Sequence, residues 1–74
     1  MEIEVEIFGQ LLPGQPRRRV ITLDRPSTVR EVALLLGLKP DEVGLIAING
    51  AQQELEDEVP PGSRLCFFPP LSGG

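Results

Sequence analysis

Charged and apolar residues alternate strictly over residues 2–7 of this sequence. Because successive side chains of a β-strand point to opposite faces, this pattern predicts a strand with one face in a core and the other in water. Parity directs Ile3, Val5 and Ile7 inward and leaves the glutamates outside. Phe8 then falls on the outer face with them. The apolar face of such a strand requires a second layer to cover it.

A single helix is predicted to supply that layer. Thr28 and Glu31 have the spacing of a capping box, in which each side chain accepts a hydrogen bond from the backbone N–H at the other position. Apolar residues then recur at the spacing of one buried helix face, and Gly37 fits the left-handed position that ends a helix. The stripe consists of Val29, Val32, Ala33 and Leu36. Leu34 and Leu35 widen it, so the helix is predicted to be covered on more than one side.

Four further strands complete the predicted order. They are residues 18–23, 45–48, 52–55 and 63–68. The run Arg17-Arg18-Arg19 is interpreted as facing the glutamates of the first strand, and Asn49-Gly50 marks a tight turn. The order strand, strand, helix, strand, strand, strand is an α+β design, with one helix packed on one face of a mixed sheet. It is the order of the β-grasp, or ubiquitin-like, fold.

Seventy-four residues are enough for one small domain. Residues 1–68 are the predicted β-grasp domain. Residues 69–74 are predicted to be a flexible C-terminal tail that ends in Gly73-Gly74 and does not pack back on the domain.

The composition excludes most catalytic chemistry. The chain has no His and one Cys, so it cannot assemble a Ser–His–Asp triad, a Cys–His pair or a structural zinc site. Seven Lys and Arg against eleven Asp and Glu give a net charge of −4, which disfavours nucleic-acid binding. No segment reads as a membrane span or a signal peptide. We therefore expect a non-catalytic, cytoplasmic protein that is a monomer on its own and binds no metal or cofactor.

The most informative stretch is the last one, Phe67-Phe68-Pro69-Pro70-Leu71-Ser72-Gly73-Gly74. Two prolines stiffen the approach, and a Gly-Gly pair without Cβ atoms can enter a narrow channel. The simpler interpretation is a frayed terminus. In the functional one, the terminal carboxylate is a poor electrophile until a partner enzyme adenylates it with ATP. A sulfur donor would then convert it into a thiocarboxylate.

This tail resembles that of the small subunit of molybdopterin synthase, whose family ends close to Phe-Phe-Pro-Pro-Val-x-Gly-Gly. The segment Ile7-Phe8-Gly9-Gln10 is similar to the opening of that family, and residues 47–50 resemble an Ala-Val-Asn shared with the thiamine-pathway sulfur carrier. The resemblance implies a sulfur carrier in molybdopterin (molybdenum cofactor) biosynthesis.

The same resemblance implies the partners. A ubiquitin-activating-type adenylyltransferase would adenylate Gly74 with ATP, and a sulfur donor would supply the thiocarboxylate sulfur. The tail would then enter the large subunit of molybdopterin synthase. The inserted residues would be Pro69, Pro70, Leu71, Ser72 and Gly73.

Other pathways stay open, because the resemblance is incomplete. The family usually carries an Arg-Glu pair after the first strand, where residues 10–13 of this chain read Gln-Leu-Leu-Pro. The alternatives are a sulfur carrier for thiamine biosynthesis, for tRNA thiolation or for a tungsten cofactor, and a ubiquitin-like protein modifier. Lys39 is the only lysine, so lysine-linked chains of this protein would be restricted.

The aromatic residues predict a partner interface. If Leu65 and Phe67 face the helix, Phe68 shares the open face of the sheet with Phe8, and an exposed apolar patch of this kind marks an interface. The alternative is that loops partly cover both rings. Cys66 lies on the same face and is interpreted as a small apolar strand residue, since no second thiol or neighbouring base is present.

Overall fold

The computed structural model describes residues 1–71, which contain five strands, one α-helix and one turn of 3-10 helix. The strands are β1 (Glu2–Ile7), β2 (Arg18–Thr22), β3 (Leu45–Ile48), β4 (Ala51–Gln53) and β5 (Arg64–Phe68); the helix is α1 (Val29–Leu36) and the 3-10 turn is Pro40–Glu42. The predicted tail residues Ser72, Gly73 and Gly74 lie outside the described residues. Within residues 1–71, no helix combines the length and the hydropathy needed to span a membrane.

The strands form one mixed sheet in the order β2-β1-β5-β3-β4. The neighbours β1 and β5 are parallel, and the other three pairs are antiparallel. A parallel pair requires a long crossover, and here the crossover contains α1, which covers one face of the sheet. This is the predicted α+β, β-grasp arrangement. It places β5, the strand that leads into the tail, in the middle of the sheet.

The core lies between the sheet and α1. The inward residues predicted for β1 are buried, as are Leu65 and Phe67 of β5. The helix contributes Val29, Val32 and Ala33. Three further core residues, Leu23, Leu38 and Val59, lie outside the observed helix and strands. Leu23 ends the second predicted strand, whereas no pattern predicted Leu38 and Val59 as core residues.

The helix begins and ends where its caps predict. Thr28 Oγ1 accepts a hydrogen bond from the Glu31 N–H at 3.2 Å, and a Glu31 carboxylate oxygen accepts one from the Thr28 N–H at 2.9 Å. Gly37 ends the helix with a φ of 89°, a left-handed conformation that glycine adopts without a Cβ clash. Both cap predictions are confirmed.

The predicted width of the buried helix face is wrong. Leu34 and Leu35 are 60% and 65% exposed, and Leu36 is half-buried. Within residues 1–71, α1 packs on one layer, the sheet, so side chains that point away from the sheet meet solvent.

We expect the Leu35→Ala variant to change the free energy of unfolding by less than about 0.5 kcal/mol, because an exposed side chain gives up little burial. The matched variant Leu65→Ala should cost about 2–5 kcal/mol, since it opens a cavity in the core. Urea denaturation of both variants measures the difference. Equal losses would mean that Leu35 is covered in solution.

Candidate functional site

Two aromatic side chains stack on the open face of the sheet, opposite α1. The ring centroids of Phe8 and Phe68 lie 4.5 Å apart with an interplanar angle of 7°. The rings meet because β1 and β5 are neighbouring strands, with Ile7 paired to Phe67. The next residue, Phe8, donates its N–H to the Phe67 carbonyl at 2.9 Å. The Arg17 guanidinium lies 5.4 Å from the Phe8 centroid, within range of a cation–π interaction. We call Phe8 and Phe68 the aromatic pair.

Each ring of the aromatic pair is half-buried, whereas the prediction had both rings exposed. The two rings cover one another, so each loses one solvent-facing side. Beside them, Leu45 and Ala47 of β3 pair in register with Phe68 and Cys66 of β5. The aromatic pair, Leu45, Ala47 and Cys66 form the apolar part of one shallow groove, here called the apolar groove. Asn49, Gly50 and Arg64 complete its lining. Its role as a partner interface stays a prediction.

Glu6 departs from the prediction that the glutamates of β1 face water, since it is 4% exposed. Its carboxylate forms an ion pair with Arg64 of β5 and another with Arg18 of β2, the latter at 3.5 Å. Both arginines reach it because β1 lies between their strands. The interpretation that the arginine run faces the glutamates is confirmed for Arg18. The Arg64 contact was not foreseen.

The ion pairs make stability depend on pH. The hydrogen bond from Arg64 is the largest cause that lowers the pKa of Glu6 below its ordinary value of 4.5; burial opposes this, and the charges of Arg18 and Arg64 add to it. A carboxyl group whose folded-state pKa is lowered stabilises the fold above its unfolded pKa, and this contribution is lost as the pH falls through the folded-state pKa.

We therefore expect the Glu6→Gln variant to unfold at a lower temperature than the wild type at neutral pH. The gap should begin to narrow near pH 4.5, the ordinary value of this carboxyl pKa, and should close as the pH falls through the lowered folded-state pKa. Thermal melts between about pH 7 and pH 2 measure the two slopes. The control is Glu2→Gln, a change at an exposed position of the same strand, which should follow the wild-type slope. An undiminished gap at low pH would contradict the assignment.

Cys66 is the single thiol of the chain, and it lies in the apolar groove. Burial raises the pKa of the Cys66 thiol, against the opposing charge of Arg64, so the thiol stays protonated at neutral pH. A protonated thiol is a weak nucleophile. This environment agrees with the interpretation of Cys66 as an apolar strand residue.

The chain leaves the sheet at Pro69 and Pro70, which contact the domain although no tail residue was expected to do so. A Cβ atom built on Gly44 would lie 2.5 Å from Pro70 Cα, and one built on Gly9 would lie 2.7 Å from Pro69 Cγ. The next residue, Leu71, is 96% exposed. The remaining predicted tail residues, 72–74, lie outside the described residues.

Sequence reasoning gave Gly44 no role. Its signal was a lone glycine directly before the apolar run of β3, which indicates a site where another backbone approaches closely. The approaching segment could not be named from the sequence, because Pro69 and Pro70 are distant along the chain.

Comparison with known proteins assigns this sequence to a family. The sequence model of the ThiS family matches residues 5–74, which include the aromatic pair and the whole predicted tail. The chain belongs to the ThiS family. No curated protein matches this ThiS-family chain in sequence.

Solved structures agree with the family match. SAMP1 from Haloferax volcanii is similar over 100% of both chains, with 25% identity and a TM-score of 0.72. A chain in the complex of subunits 1 and 2 of molybdopterin-converting factor from Helicobacter pylori is similar over 100% of both chains, with 25% identity and a TM-score of 0.63. The putative molybdopterin converting factor subunit 1 from Pyrococcus furiosus shares the fold over 95% of this chain and 98% of its own, with 22% identity and a TM-score of 0.71.

These findings confirm the β-grasp fold and the resemblance to small ubiquitin-like sulfur carriers. The ThiS-family protein is thus a small ubiquitin-like protein of the sulfur-carrier group. The similar structures include both a modifier protein and a molybdopterin-converting factor that pairs with a second subunit.

Proposed function

We propose that this ThiS-family protein carries sulfur as a thiocarboxylate on Gly74. The observation that carries the proposal is the family match, which extends through the Gly-Gly pair to residue 74. The geometry supports it, because the strand that leads into the tail ends beside the apolar groove and Leu71 already projects into solvent. A partner bound at the apolar groove would thus lie next to the start of the tail.

The proposed chemistry takes place on the carboxyl group of Gly74. A carboxylate oxygen attacks the α-phosphorus of ATP, pyrophosphate leaves, and an acyl adenylate forms. A sulfide equivalent from the donor then attacks the carbonyl carbon, and AMP departs with one carboxyl oxygen. The product is a thiocarboxylate. The activating enzyme supplies the ATP site, so the carrier itself needs neither a cofactor nor catalytic side chains.

The proposed partners contact two parts of the chain, the apolar groove and the tail. A ubiquitin-activating-type adenylyltransferase binds the apolar groove through the aromatic pair and acts on Gly74. The large subunit of a molybdopterin synthase then receives the tail from Pro69 onward and takes the sulfur. The Phe-Phe-Pro-Pro-x-x-Gly-Gly ending and the likeness to the two-subunit Helicobacter pylori complex favour this pathway.

Intact mass spectrometry tests the carrier function. After incubation with ATP, the adenylyltransferase of the same organism and sulfide, the protein should gain about 16 Da, because one oxygen is exchanged for sulfur at an activated acyl group. The control without ATP should show no gain, and Cys66→Ser should gain the same mass as the wild type. A gain of about 16 Da that disappears with Cys66→Ser would be an oxygen added to the thiol, which has the same nominal mass, and would refute the proposal.

A second candidate function is covalent protein modification. The likeness to SAMP1 over the full length of both chains favours it. A modifier would join the Gly74 carboxyl group to lysines of other proteins, and Lys39 would be the only lysine through which it could form chains. Expression of the tagged protein in cells distinguishes the modifier from the sulfur carrier. A modifier gives isopeptide conjugates that survive reducing denaturation, whereas a carrier gives the free thiocarboxylate.

The aromatic pair is expected to matter for binding more than for stability. We expect Phe68→Ala to weaken the affinity for the adenylyltransferase by about tenfold or more, as the loss of a buried aromatic anchor does. Titration calorimetry measures the affinity. The matched control is Val20→Ala, which removes an exposed apolar side chain from β2, outside the apolar groove. Equal effects of the two variants would remove the aromatic pair from the interface.

A further inference from the structure

Gly9 and Gly44 flank the point where the chain leaves the sheet. We propose that these two glycines form a cradle that fixes the direction of Pro69 and Pro70, and that this direction presents Gly74 to the activating enzyme. The purpose assigned to the cradle rests on the proposed function. The steric contacts themselves involve only residues between positions 9 and 70.

Gly44 is required by a backbone contact. A Cβ atom there would lie 2.5 Å from the Cα of Pro70 and 2.6 Å from both the Pro70 nitrogen and the Pro69 carbonyl oxygen. Backbone atoms cannot rotate away as the end of a side chain can, so any other residue at position 44 would displace the tail. Gly44 has no positive φ, so its own conformation does not require glycine. The contact with the tail does.

Gly9 contacts the tail from the other side. Its φ of 67° also favours glycine, so at this position the contact and the backbone conformation act together. A Cβ atom there would lie 2.7 Å from Cγ and 3.3 Å from Cδ of the Pro69 ring. Glycines elsewhere in the described chain have open space at the same position. Those with no atom within 4 Å of an added Cβ are Gly14, Gly37, Gly50 and Gly62. Among the described glycines, the two tight positions are therefore the two that meet the tail.

The sheet topology explains why the tail needs such contacts. Because β5 lies between β1 and β3, its extension passes between Gly9, which follows β1, and Gly44, which precedes β3. The Gly44 N–H still donates to the Phe68 carbonyl at 2.8 Å. Pro69 and Pro70 have no N–H with which to continue the ladder. Steric fit against the two glycines is then what directs the tail.

Nuclear magnetic resonance tests the cradle without any enzyme. The wild type should show nuclear Overhauser contacts between the α-protons of Gly44 and Pro70, and between Gly9 and the Pro69 ring. The Gly44→Ala variant should lose the first contact while contacts between core residues such as Val5 and Leu65 remain. The control is Gly14→Ala, which adds the same methyl group in open space. The φ of 82° at Gly14 strains an alanine locally, in the loop between β1 and β2, so the tail contacts should remain.

The activation assay tests the purpose of the cradle. We expect Gly44→Ala to lower kcat for ATP-dependent adenylation by about 10- to 100-fold, because small misplacements of a reacting group are costly. KM should change by less than about threefold, since the activating enzyme still binds the apolar groove. A fold defect from the new methyl group would instead change both constants together with the thermal stability.

A second variant covers the case in which Gly44→Ala does not fold. Pro69→Ala removes the ring atoms that lie against Gly9 and changes no core residue, and it should lower kcat in the same direction. Wild-type spectra without the tail contacts, or full activity in both variants, would overturn the cradle. Tail contacts in a wild-type protein that the enzyme does not adenylate would refute the proposed function and leave the steric cradle standing.

Discussion

The Phe67→Ala variant is expected to lose about 3–5 kcal/mol of unfolding free energy. Phe67 is 0% exposed and lies in the central strand, paired with Ile7 of β1 and Ile46 of β3. Its removal leaves a cavity bordered by strands that cannot all move inward, so both the burial and the packing contacts are lost. A domain of this size has only a few kcal/mol in reserve. We expect a large unfolded fraction at about 37 °C, measurable by circular dichroism and urea titration.

The next residue provides the matched control. Phe68→Ala removes the same side chain from the opposite face of β5, where the ring is half-buried and stacks on Phe8. Its loss should cost about 1 kcal/mol, the scale of one aromatic pair. Comparable destabilisation by the two variants would contradict the assignment of Phe67 to the core and Phe68 to the interface.

The second large effect concerns the end of the tail. Gly74→Arg is expected to lower the rate of adenylation by about 100-fold or more, since a side chain next to the reacting carboxyl group blocks its placement. Thermal stability should match the wild type, because the described core residues all precede Phe68. ATP–pyrophosphate exchange measures the first step, and intact mass measures the thiocarboxylate.

A charge control separates sterics from electrostatics. Thr22→Arg adds the same charge at an exposed position of β2, the edge strand on the far side of β1 from β5, and should be adenylated at the wild-type rate. Graded loss from Gly74→Ala to Gly74→Arg would support a narrow channel in the partner. If Gly74→Arg were thiocarboxylated at the wild-type rate, the carrier mechanism would be wrong.

Features encoded by neighbouring residues could be predicted from the sequence. The alternation in β1 and the capping box of α1 depend on positions at most four apart, so the local pattern carries the physical cause. Predicting the contact within the aromatic pair requires the strand order as well as the local pattern. Parity placed each ring on the open face, but the contact between Phe8 and Phe68 depends on β1 and β5 being neighbours, which the element order of a β-grasp fold supplies.

Features that depend on distant parts of the chain were missed. Glu6 is buried because Arg64, 58 positions later, reaches across from β5. Leu34 and Leu35 are exposed because no second layer covers the far side of α1 among the described residues, and periodicity within the helix does not reveal how many layers surround it. Gly44 meets Pro70 only once β3 and β5 are paired. In each case the missing information is which segments become neighbours.

If the tail enters a partner protein as proposed, the central position of β5 has a mechanical consequence. Tension on Pro69 pulls along β5, which is hydrogen-bonded to parallel β1 on one side and antiparallel β3 on the other. In this shear geometry several bonds on both flanks must slip together before the strand can move, instead of opening one at a time as in a peeled edge. Under the proposed function, the domain would therefore resist unfolding when the tail is pulled out of a partner's channel.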